Sequence, residues 1–196
     1  SQEMVRGRYG WVRLEANTTN LGFAAANNAV MRRAQGRLFL LLNADMEVPP
    51  GVISAMVSRM GRRPDVGVAA CRQVDAEGRG LESHQLHYAG GLLPELGPLA
   101  TSCDCASGGI EAAWVWGSGM LVRREMFEQV GGFDESFFMY YEDLEWCWRI
   151  RKAGWKIIWY PDLEVRHFVR RSTAKVPLKV TTDRLVRGEL ILRERN

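Results

Sequence analysis

Apolar residues in the first third of the chain form short continuous runs separated by stretches with helical composition. In the stretch 37–42 every residue after Arg37 is apolar, as is typical of a central strand covered on both faces, and 65–71 has the same character after Asp65. The stretch 21–34 is rich in alanine and is followed by Gly36, which favours a helix that ends there. The elements predicted in order are a strand at 11–14, a helix at 21–34, a strand at 37–42, a helix opened by Pro49 and Pro50 and reaching about Arg62, and a strand at 65–71. This alternation predicts a doubly wound α/β domain with a largely parallel sheet.

The second half of the chain begins with a long irregular segment. Residues 73–112 are rich in Gly, Pro and Ser, which predicts an excursion with one or two weak strands. Later elements are predicted as a strand at 114–122 interrupted at 117–119, a helix at 124–130, a helix at 142–153, strands at 155–160 and 164–168, and a helical tail after Pro177. We therefore expect a domain over 1–173 and a basic helical tail over 174–196.

Composition and charge narrow the class of protein. The 196 residues are 46% hydrophobic and 25% charged, which suits one ordinary globular domain with a sizeable core. A net charge of +3 gives no indication of a nucleic-acid partner. Residues 166–196, however, hold nine basic and three acidic residues, a local charge of +6. That tail is either a solvated helix face or a contact for anionic lipid or phosphate.

The cysteines and the apolar runs bear on location. Cys103 and Cys105 form a single C-x-C without a second pair at zinc spacing, so reduced and unligated thiols are expected. The longest apolar run, Leu38 to Leu42, is far too short to span a bilayer, and no signal peptide is visible. These features predict a cytoplasmic protein, with the basic tail as a peripheral contact at the inner face of a membrane.

The acids Asp45 and Glu47 follow the strand predicted at 37–42. Ligands of open α/β sheets bind beyond the carboxyl ends of the strands. Mg²⁺ and Mn²⁺ prefer carboxylate and phosphate oxygens, so an acid held at this edge suits a metal that bridges a pyrophosphate. The alternative is a polar loop that caps the next helix.

A second pair of acids, Glu142 and Asp143, opens a predicted helix directly after the aromatic stretch 137–141. The positive end of a helix favours ionised carboxylates, and such a group beside a cleft accepts a proton from a substrate hydroxyl. Acids are also ordinary in the first turn of any helix.

Three further features have both functional and structural interpretations. Gly117 and Gly119 in Trp116-Gly-Ser-Gly allow either close backbone approach to a ligand or a simple bulge. His167 ends a predicted strand and is either a ligand or a buried structural residue. His84 and His87, in the irregular middle, are interpreted as surface residues.

As a set, these segments resemble family 2 glycosyltransferases, especially the bacterial rhamnosyltransferase-like members. The resemblance runs in order and with matching spacing over about residues 15 to 173. The segments that carry it are Asn20–Ala24 with Asn27 and Asn28, Leu42–Gly51, Gly117–Arg124, Val130–Glu135, Phe138–Arg149, Ala153–Trp155 and His167.

The resemblance implies a GT-A, Rossmann-like α/β fold and a role for each motif. Asn43-Ala44-Asp45 occupies the metal-binding Asp-x-Asp position, with Asp45 as the ligand of Mg²⁺ or Mn²⁺ and Asn43 departing from the usual acid. Asp143 is the expected catalytic base and Glu142 its helper, while Glu47 and His167 are candidate further metal ligands. The expected ligands are a nucleotide-sugar donor, bound through Asn27 and residues 43–45, and a glycan or lipid-linked acceptor, bound through Trp116, Gly117, Ser118 and Gly119.

The family begins with a β-α-β unit that holds the nucleotide, and this sequence starts after the corresponding position, so a domain truncated at its N-terminus is expected. Two alternatives to an inverting, metal-dependent transferase therefore stay open. One is a degenerate GT-A domain that only binds a glycan acceptor. The other is a sugar nucleotidyltransferase, which requires a Gly-rich phosphate loop near the N-terminus that this sequence lacks.

Overall fold

The computed structural model describes residues 2–81, 100–104, 108–168 and 178–194. Most of the predicted elements are present, and most of their ends lie within three residues of the predicted positions. The first part of the strand predicted at 114–122 is wrong, because 114–119 has no strand structure and the strand begins at Met120. The predicted strand at 11–14 is wrong, because that stretch has no regular structure. The helices are α1 (Gln2–Arg8), α2 (Gly22–Arg33), α3 (Val52–Gly61), α4 (Arg124–Val130), α5 (Glu142–Lys152) and α6 (Leu178–Glu194). The strands are β1 (Leu38–Leu41), β2 (Met46–Glu47), β3 (Val66–Val74), β4 (Ala100–Asp104), β5 (Gly109–Ala112), β6 (Met120–Arg123) and β7 (Lys156–His167).

These strands form one mixed sheet in the order β1-β6-β3-β7-β5-β4, with β2 paired to β7. β6 is antiparallel to both β1 and β3, and β3 is parallel to β7. Strands β1, β3 and β7 therefore run in the same direction, and their carboxyl ends meet at one edge of the sheet. The amino end of the reversed strand β6 reaches the same edge, which brings residues from four distant segments together there.

The pairing differs from the expected mostly parallel arrangement, although the α/β class and the mixed, helix-flanked sheet are confirmed. Within the described residues, β3 with β7 is the parallel pair, and the remaining pairs are antiparallel. The cause is the insertion of β6 between β1 and β3, strands that the sequence order alone would place side by side. Strand β7 also runs unbroken through the two stretches that were predicted as separate strands.

Helices cover both faces of the sheet, as the alternation of side chains along each strand requires. On β3, Val68 and Ala70 face the larger core cluster, which α2, α4, α5 and the buried Leu192 of α6 complete. Ala69 and Cys71 face the other way, against the α3 cluster. The domain therefore has two apolar layers on one sheet.

The C-terminal helix α6 packs on the domain through one face. Leu192 is buried in the larger core, and Gly188 lies against the ring of Tyr141, where a Cβ atom would meet Cδ2 at 2.6 Å. Arg184 stacks over Phe138 at 4.3 Å from the ring centroid. The described part of the predicted tail, helix α6, is thus in contact with the segment directly before Glu142.

Several predictions concern residues outside the described ranges. His84, His87 and Cys105 lie there, as do the side chain of Cys103 and the residues that join the domain to α6. Cys71 and Cys147 are buried free thiols, and burial raises the pKa of the Cys71 thiol to about 11. No helix among the described residues has the length and apolar character needed to cross a membrane.

Candidate active site

Asp45 and His167 meet at the edge where the carboxyl ends of β1 and β7 converge. Asp45 lies in the turn after β1, and its backbone carbonyl accepts a hydrogen bond from the Phe168 amide at 2.9 Å. Its Oδ1 lies 3.3 Å from Nε2 of His167, and both side chains are largely buried. Burial lowers the pKa of His167 more than the Asp45 carboxylate raises it, so the ring is neutral near pH 7.

Gln73, near the end of β3, connects this pair to the segment before β6. Its Oε1 lies 2.8 Å from Nδ1 of His167. Its Nε2 donates a hydrogen bond of 2.6 Å to the backbone carbonyl of Ser118, whose hydroxyl lies 3.3 Å from both amide atoms. Gln73, Ser118 and His167 are all buried, so the three side chains form one closed hydrogen-bonded cluster.

Asp143 is held at the start of α5 by two backbone amides. Its Oδ2 accepts a hydrogen bond from Gly117 at 3.0 Å, and its Oδ1 accepts one from Leu144 at 2.9 Å. Desolvation raises the pKa of Asp143, and the two amide donors oppose that rise. Position 117 requires glycine for this close approach, because a Cβ atom there would lie 2.8 Å from the ring of Phe23.

Glu142 has different surroundings from its neighbour. It is 5% exposed, and its Oε2 has no hydrogen-bond partner among the described residues. Desolvation, with the nearby Asp143 charge, raises the pKa of Glu142 to about 8. Glu142 is therefore mostly protonated at neutral pH, while Asp143 keeps part of its surface accessible.

The segment before α5 has a strained backbone that orients both acids. Tyr140 and Tyr141 adopt left-handed φ angles of 76° and 69°, which non-glycine residues rarely do. The carbonyl of Phe138 accepts a hydrogen bond from the Phe23 amide at the start of α2. Gly22 permits this approach, since a Cβ atom there would lie 2.2 Å from the Phe138 oxygen. The segment is thus fixed between α2 and α6.

Other predicted residues lie outside this cluster. Glu47 is exposed, and its Oε2 lies 3.3 Å from Arg166. The described residues contain no group of three acidic, histidine or cysteine side chains placed to hold one metal. Asn27 donates its side-chain amide to the Phe23 carbonyl of its own helix. Asn43 accepts a backbone hydrogen bond from Met46, Ala44 is exposed, and Trp116 packs half-buried against the larger core.

Gln73 is the residue that sequence reasoning missed. The available signal was a buried strand whose apolar run ends in Arg72 and Gln73, directly before the turn at Asp75. A polar amide at the carboxyl end of a buried strand is where a ligand-facing group of an open α/β sheet is expected.

Comparison with protein families gives one match over most of the chain. The model described as "Glycosyltransferase like family 2" matches residues 2–188. N-acetylglucosaminyl-diphospho-decaprenol L-rhamnosyltransferase of Mycobacterium tuberculosis is 31% identical over 194 residues, covering 87% of this chain and 63% of that protein. The O-antigen biosynthesis protein RfbC of Myxococcus xanthus is 33% identical over 144 residues, covering 69% of this chain and 11% of the relative. The chain thus spans under two thirds of the length of these relatives.

Solved structures with the same fold include two complexes with a nucleotide or nucleotide-sugar ligand and Mn²⁺. Mannosyltransferase PcManGT from Pyrobaculum calidifontis, in complex with GDP-Man and Mn²⁺, aligns with a TM-score of 0.62 and 19% identity, covering 100% of this chain and 50% of that one. GalNAc-T7 with UDP, GalNAc and Mn²⁺ aligns with a TM-score of 0.59 and 16% identity, covering 85% of this chain and 34% of that one. At these identities the likeness establishes the GT-A fold.

Proposed function

The chain belongs to the glycosyltransferase-like family 2, and from that premise we propose that it is the catalytic part of an inverting, metal-dependent glycosyltransferase. One observation carries the proposal. Asp143 accepts a hydrogen bond from Gly117, and the next residue, Ser118, is hydrogen-bonded to Gln73. Gln73 is in turn hydrogen-bonded to His167, which lies beside Asp45. A carboxylate suited to proton abstraction and a pair suited to a cation are therefore parts of one connected site.

Asp45 and His167 fit the donor set of a divalent cation. Two adjacent ligands of a six-coordinate cation at about 2.1 Å lie about 3 Å apart, and Asp45 Oδ1 and His167 Nε2 are separated by 3.3 Å. The Asp45 carboxylate suits both Mg²⁺ and Mn²⁺, whereas a neutral imidazole suits a transition-metal ion and so favours Mn²⁺ of the two. When bound, such an ion would supply positive charge that stabilises a leaving diphosphate.

Asp143 performs the proton transfer in this proposal. Its carboxylate accepts the proton of an acceptor hydroxyl, and that oxygen forms a bond to the anomeric carbon of the donor sugar. The bond from the anomeric carbon to the nucleoside diphosphate breaks on the opposite side. A single displacement of this kind inverts the anomeric configuration. The assignment of Asp143 is supported by position, because Asp143 is partly accessible and hydrogen-bonded to Gly117 of the site, whereas Glu142 is enclosed.

The substrate classes follow from the relatives and from the site. The mycobacterial relative is named for transfer of L-rhamnose to a diphospho-lipid acceptor, and a Shigella flexneri relative is named a dTDP-rhamnosyl transferase. We therefore propose a nucleoside-diphosphate sugar as donor and a glycan on a lipid diphosphate as acceptor. The basic residues of 166–196, with a local charge of +6, are proposed to bring the protein to the anionic membrane surface that carries such an acceptor.

The experiment that tests this function measures Mn²⁺-dependent sugar transfer by the full-length protein, with Asp45→Ala as the variant. dTDP-rhamnose and an N-acetylglucosaminyl-diphospho-lipid are the first donor and acceptor to use. We expect the wild type to be active with Mn²⁺ and inactive with EDTA, and Asp45→Ala to lose metal-dependent transfer while remaining folded.

Asp65→Ala is the matched control, because Asp65 precedes β3 at the opposite edge of the sheet and pairs with Arg63 on the surface. Its activity should equal that of the wild type. Normal Mn²⁺-dependent turnover in Asp45→Ala would remove Asp45 from the mechanism. Acceptor binding by a wild type that transfers none of a panel of nucleotide sugars would favour the binding-module alternative.

A further inference from the structure

The two nitrogen atoms of His167 face two different oxygen acceptors, and the neutral ring has a proton for only one of them. Nδ1 lies 2.8 Å from Oε1 of Gln73, and Nε2 lies 3.3 Å from Oδ1 of Asp45. A neutral imidazole has one proton, on one nitrogen, and a cation binds to the other. The partner of Nδ1 therefore decides whether Nε2 is available as a ligand.

The backbone carbonyl of Ser118 fixes the orientation of the Gln73 amide. A carbonyl oxygen only accepts hydrogen bonds, so the Gln73 atom at 2.6 Å from it must be the NH₂ group. The other end of the amide, Oε1, then faces His167. Rotating the amide by half a turn would place two oxygens 2.6 Å apart and leave the buried NH₂ group without this acceptor.

An oxygen at Gln73 Oε1 requires a proton on Nδ1 of His167. If that proton were on Nε2 instead, the lone pair of Nδ1 would face the Oε1 lone pairs at 2.8 Å inside a buried cluster. With the proton on Nδ1, the lone pair of Nε2 points toward Asp45 Oδ1. Two acceptors then face each other at 3.3 Å, an arrangement that a cation between them relieves.

We infer that Gln73 is a positioning residue that holds the proton on Nδ1 of His167 and keeps Nε2 ready, with Asp45, to bind a divalent cation. The inference rests on the proposed function, because the cation is the one that the transfer reaction would use. Outer partners of metal-ligating histidines fix the tautomer and the ring orientation in this way, and their loss typically lowers metal affinity about 10- to 100-fold.

The first measurement is the tautomer of His167 in the metal-free protein. The chain has three histidines, so a ¹⁵N–¹H spectrum of the imidazole nitrogens is simple, and His167→Asn identifies the signals of this ring. In the wild type we expect a protonated Nδ1 and an unprotonated Nε2. Gln73→Met, which keeps the length of the side chain and removes both hydrogen bonds, should give a mixture of tautomers.

The second measurement is the affinity for Mn²⁺ alone, by electron paramagnetic resonance of the free ion. Gln73→Met should bind Mn²⁺ about 10- to 100-fold more weakly than the wild type. The control Gln129→Met makes the same substitution at a residue that accepts a hydrogen bond from Trp155 on the surface, and it should leave both measurements unchanged.

The outcomes separate the role of Gln73 from the function of the site. A wild type that binds Mn²⁺ with its proton on Nε2, or a Gln73→Met variant with unchanged tautomer, would overturn the role of Gln73 alone. A wild type with the expected tautomer whose His167 signals do not respond to Mn²⁺ would overturn the metal-dependent function, and the role of Gln73 with it.

Discussion

At the scale of single residues, Asp143 and Glu142 are adjacent carboxyl groups with different surroundings. Asp143 is partly accessible and bonded to two amides, whereas Glu142 is enclosed. Asp143→Asn preserves the shape of the side chain and removes its ability to take a proton. We expect the maximal transfer rate to fall by about 10²- to 10⁴-fold, with donor affinity largely retained.

Transfer rates measured against acceptor concentration, with donor binding measured separately by calorimetry, test this assignment. Glu142→Gln is the comparison variant, and we expect it to change acceptor affinity more than maximal rate. A wild-type maximal rate in Asp143→Asn together with a lost rate in Glu142→Gln would reverse the roles of the two acids.

The raised pKa of Glu142 makes a prediction about stability and pH. The pKa is 4.5 for a free glutamate and about 8 in the folded chain, so between these values the folded state holds a proton that the unfolded state has released. The free energy of unfolding must therefore fall as pH rises through this window. Glu142→Gln, which mimics the protonated acid, should reduce that fall.

Urea unfolding of the wild type and Glu142→Gln at pH 5 and pH 8 measures this effect. Each pKa unit corresponds to about 1.4 kcal/mol, so the variant should gain on the order of a few kcal/mol relative to the wild type at the higher pH. The two proteins should differ least at pH 5. An equal loss of stability with pH in both proteins would contradict a buried, protonated Glu142.

Local signals account for the elements that the sequence predicted well. Helices α3 and α5 begin and end close to their predicted positions, because proline before α3 and glycine after α5 act on neighbouring backbone. The placement of β6 depends instead on hydrogen bonds to strands far away in sequence, which no local pattern encodes.

The candidate site likewise has residues that local motifs predict and residues that only distant contacts place. Asp45 and Asp143 were predicted from motifs, whereas Gln73 contacts partners 45 and 94 residues away and was missed.

The contact between α2 and the segment before α5 makes a prediction at the scale of elements. In Gly22→Ala the new Cβ atom would lie 2.2 Å from the Phe138 oxygen, at a φ of +81°. Gly51→Ala is the matched control, since its φ is +87° and nothing lies within 4 Å of its Cβ position. The control should cost only the left-handed strain of about 1–2 kcal/mol.

Thermal unfolding of both variants separates collision from strain. We expect Gly22→Ala to melt well below Gly51→Ala, because the backbone oxygen it strikes is already bonded to the Phe23 amide. The orientation of Asp143 should also suffer, so the transfer rate of Gly22→Ala should fall more than that of Gly51→Ala. Equal melting temperatures would show that the segment before α5 moves aside freely.

At the scale of the whole molecule, the site is assembled from segments that lie far apart in sequence. Asp45 follows β1, Gln73 ends β3, Gly117 and Ser118 precede β6, and Asp143 begins α5. The shared direction of β1, β3 and β7 brings these positions to one edge. Helix α6 packs against the segment before α5, through Gly188 on Tyr141 and Arg184 on Phe138.

The exposed face of α6 makes the last prediction, that the protein binds anionic membranes. Val186 and Leu190 are 51% and 55% exposed, and Lys179, Asp183 and Arg187 are exposed beside them, so this face carries two basic residues and one acid. An amphipathic helix with basic and apolar residues on its free face binds the membrane interface, and each basic residue near an anionic surface contributes about 1 kcal/mol. Replacing Lys179 and Arg187 together by Gln should thus weaken binding to phosphatidylglycerol vesicles by about 2 kcal/mol, or roughly thirty-fold. Point variants are preferable to deletion, because Leu192 is part of the core.

Co-sedimentation measures the binding, and replacing the exposed Arg6 and Arg8 of α1 by Gln is the control with the same change in charge. Binding that is insensitive to salt, or equally weakened by the α1 control, would contradict a specific role for α6.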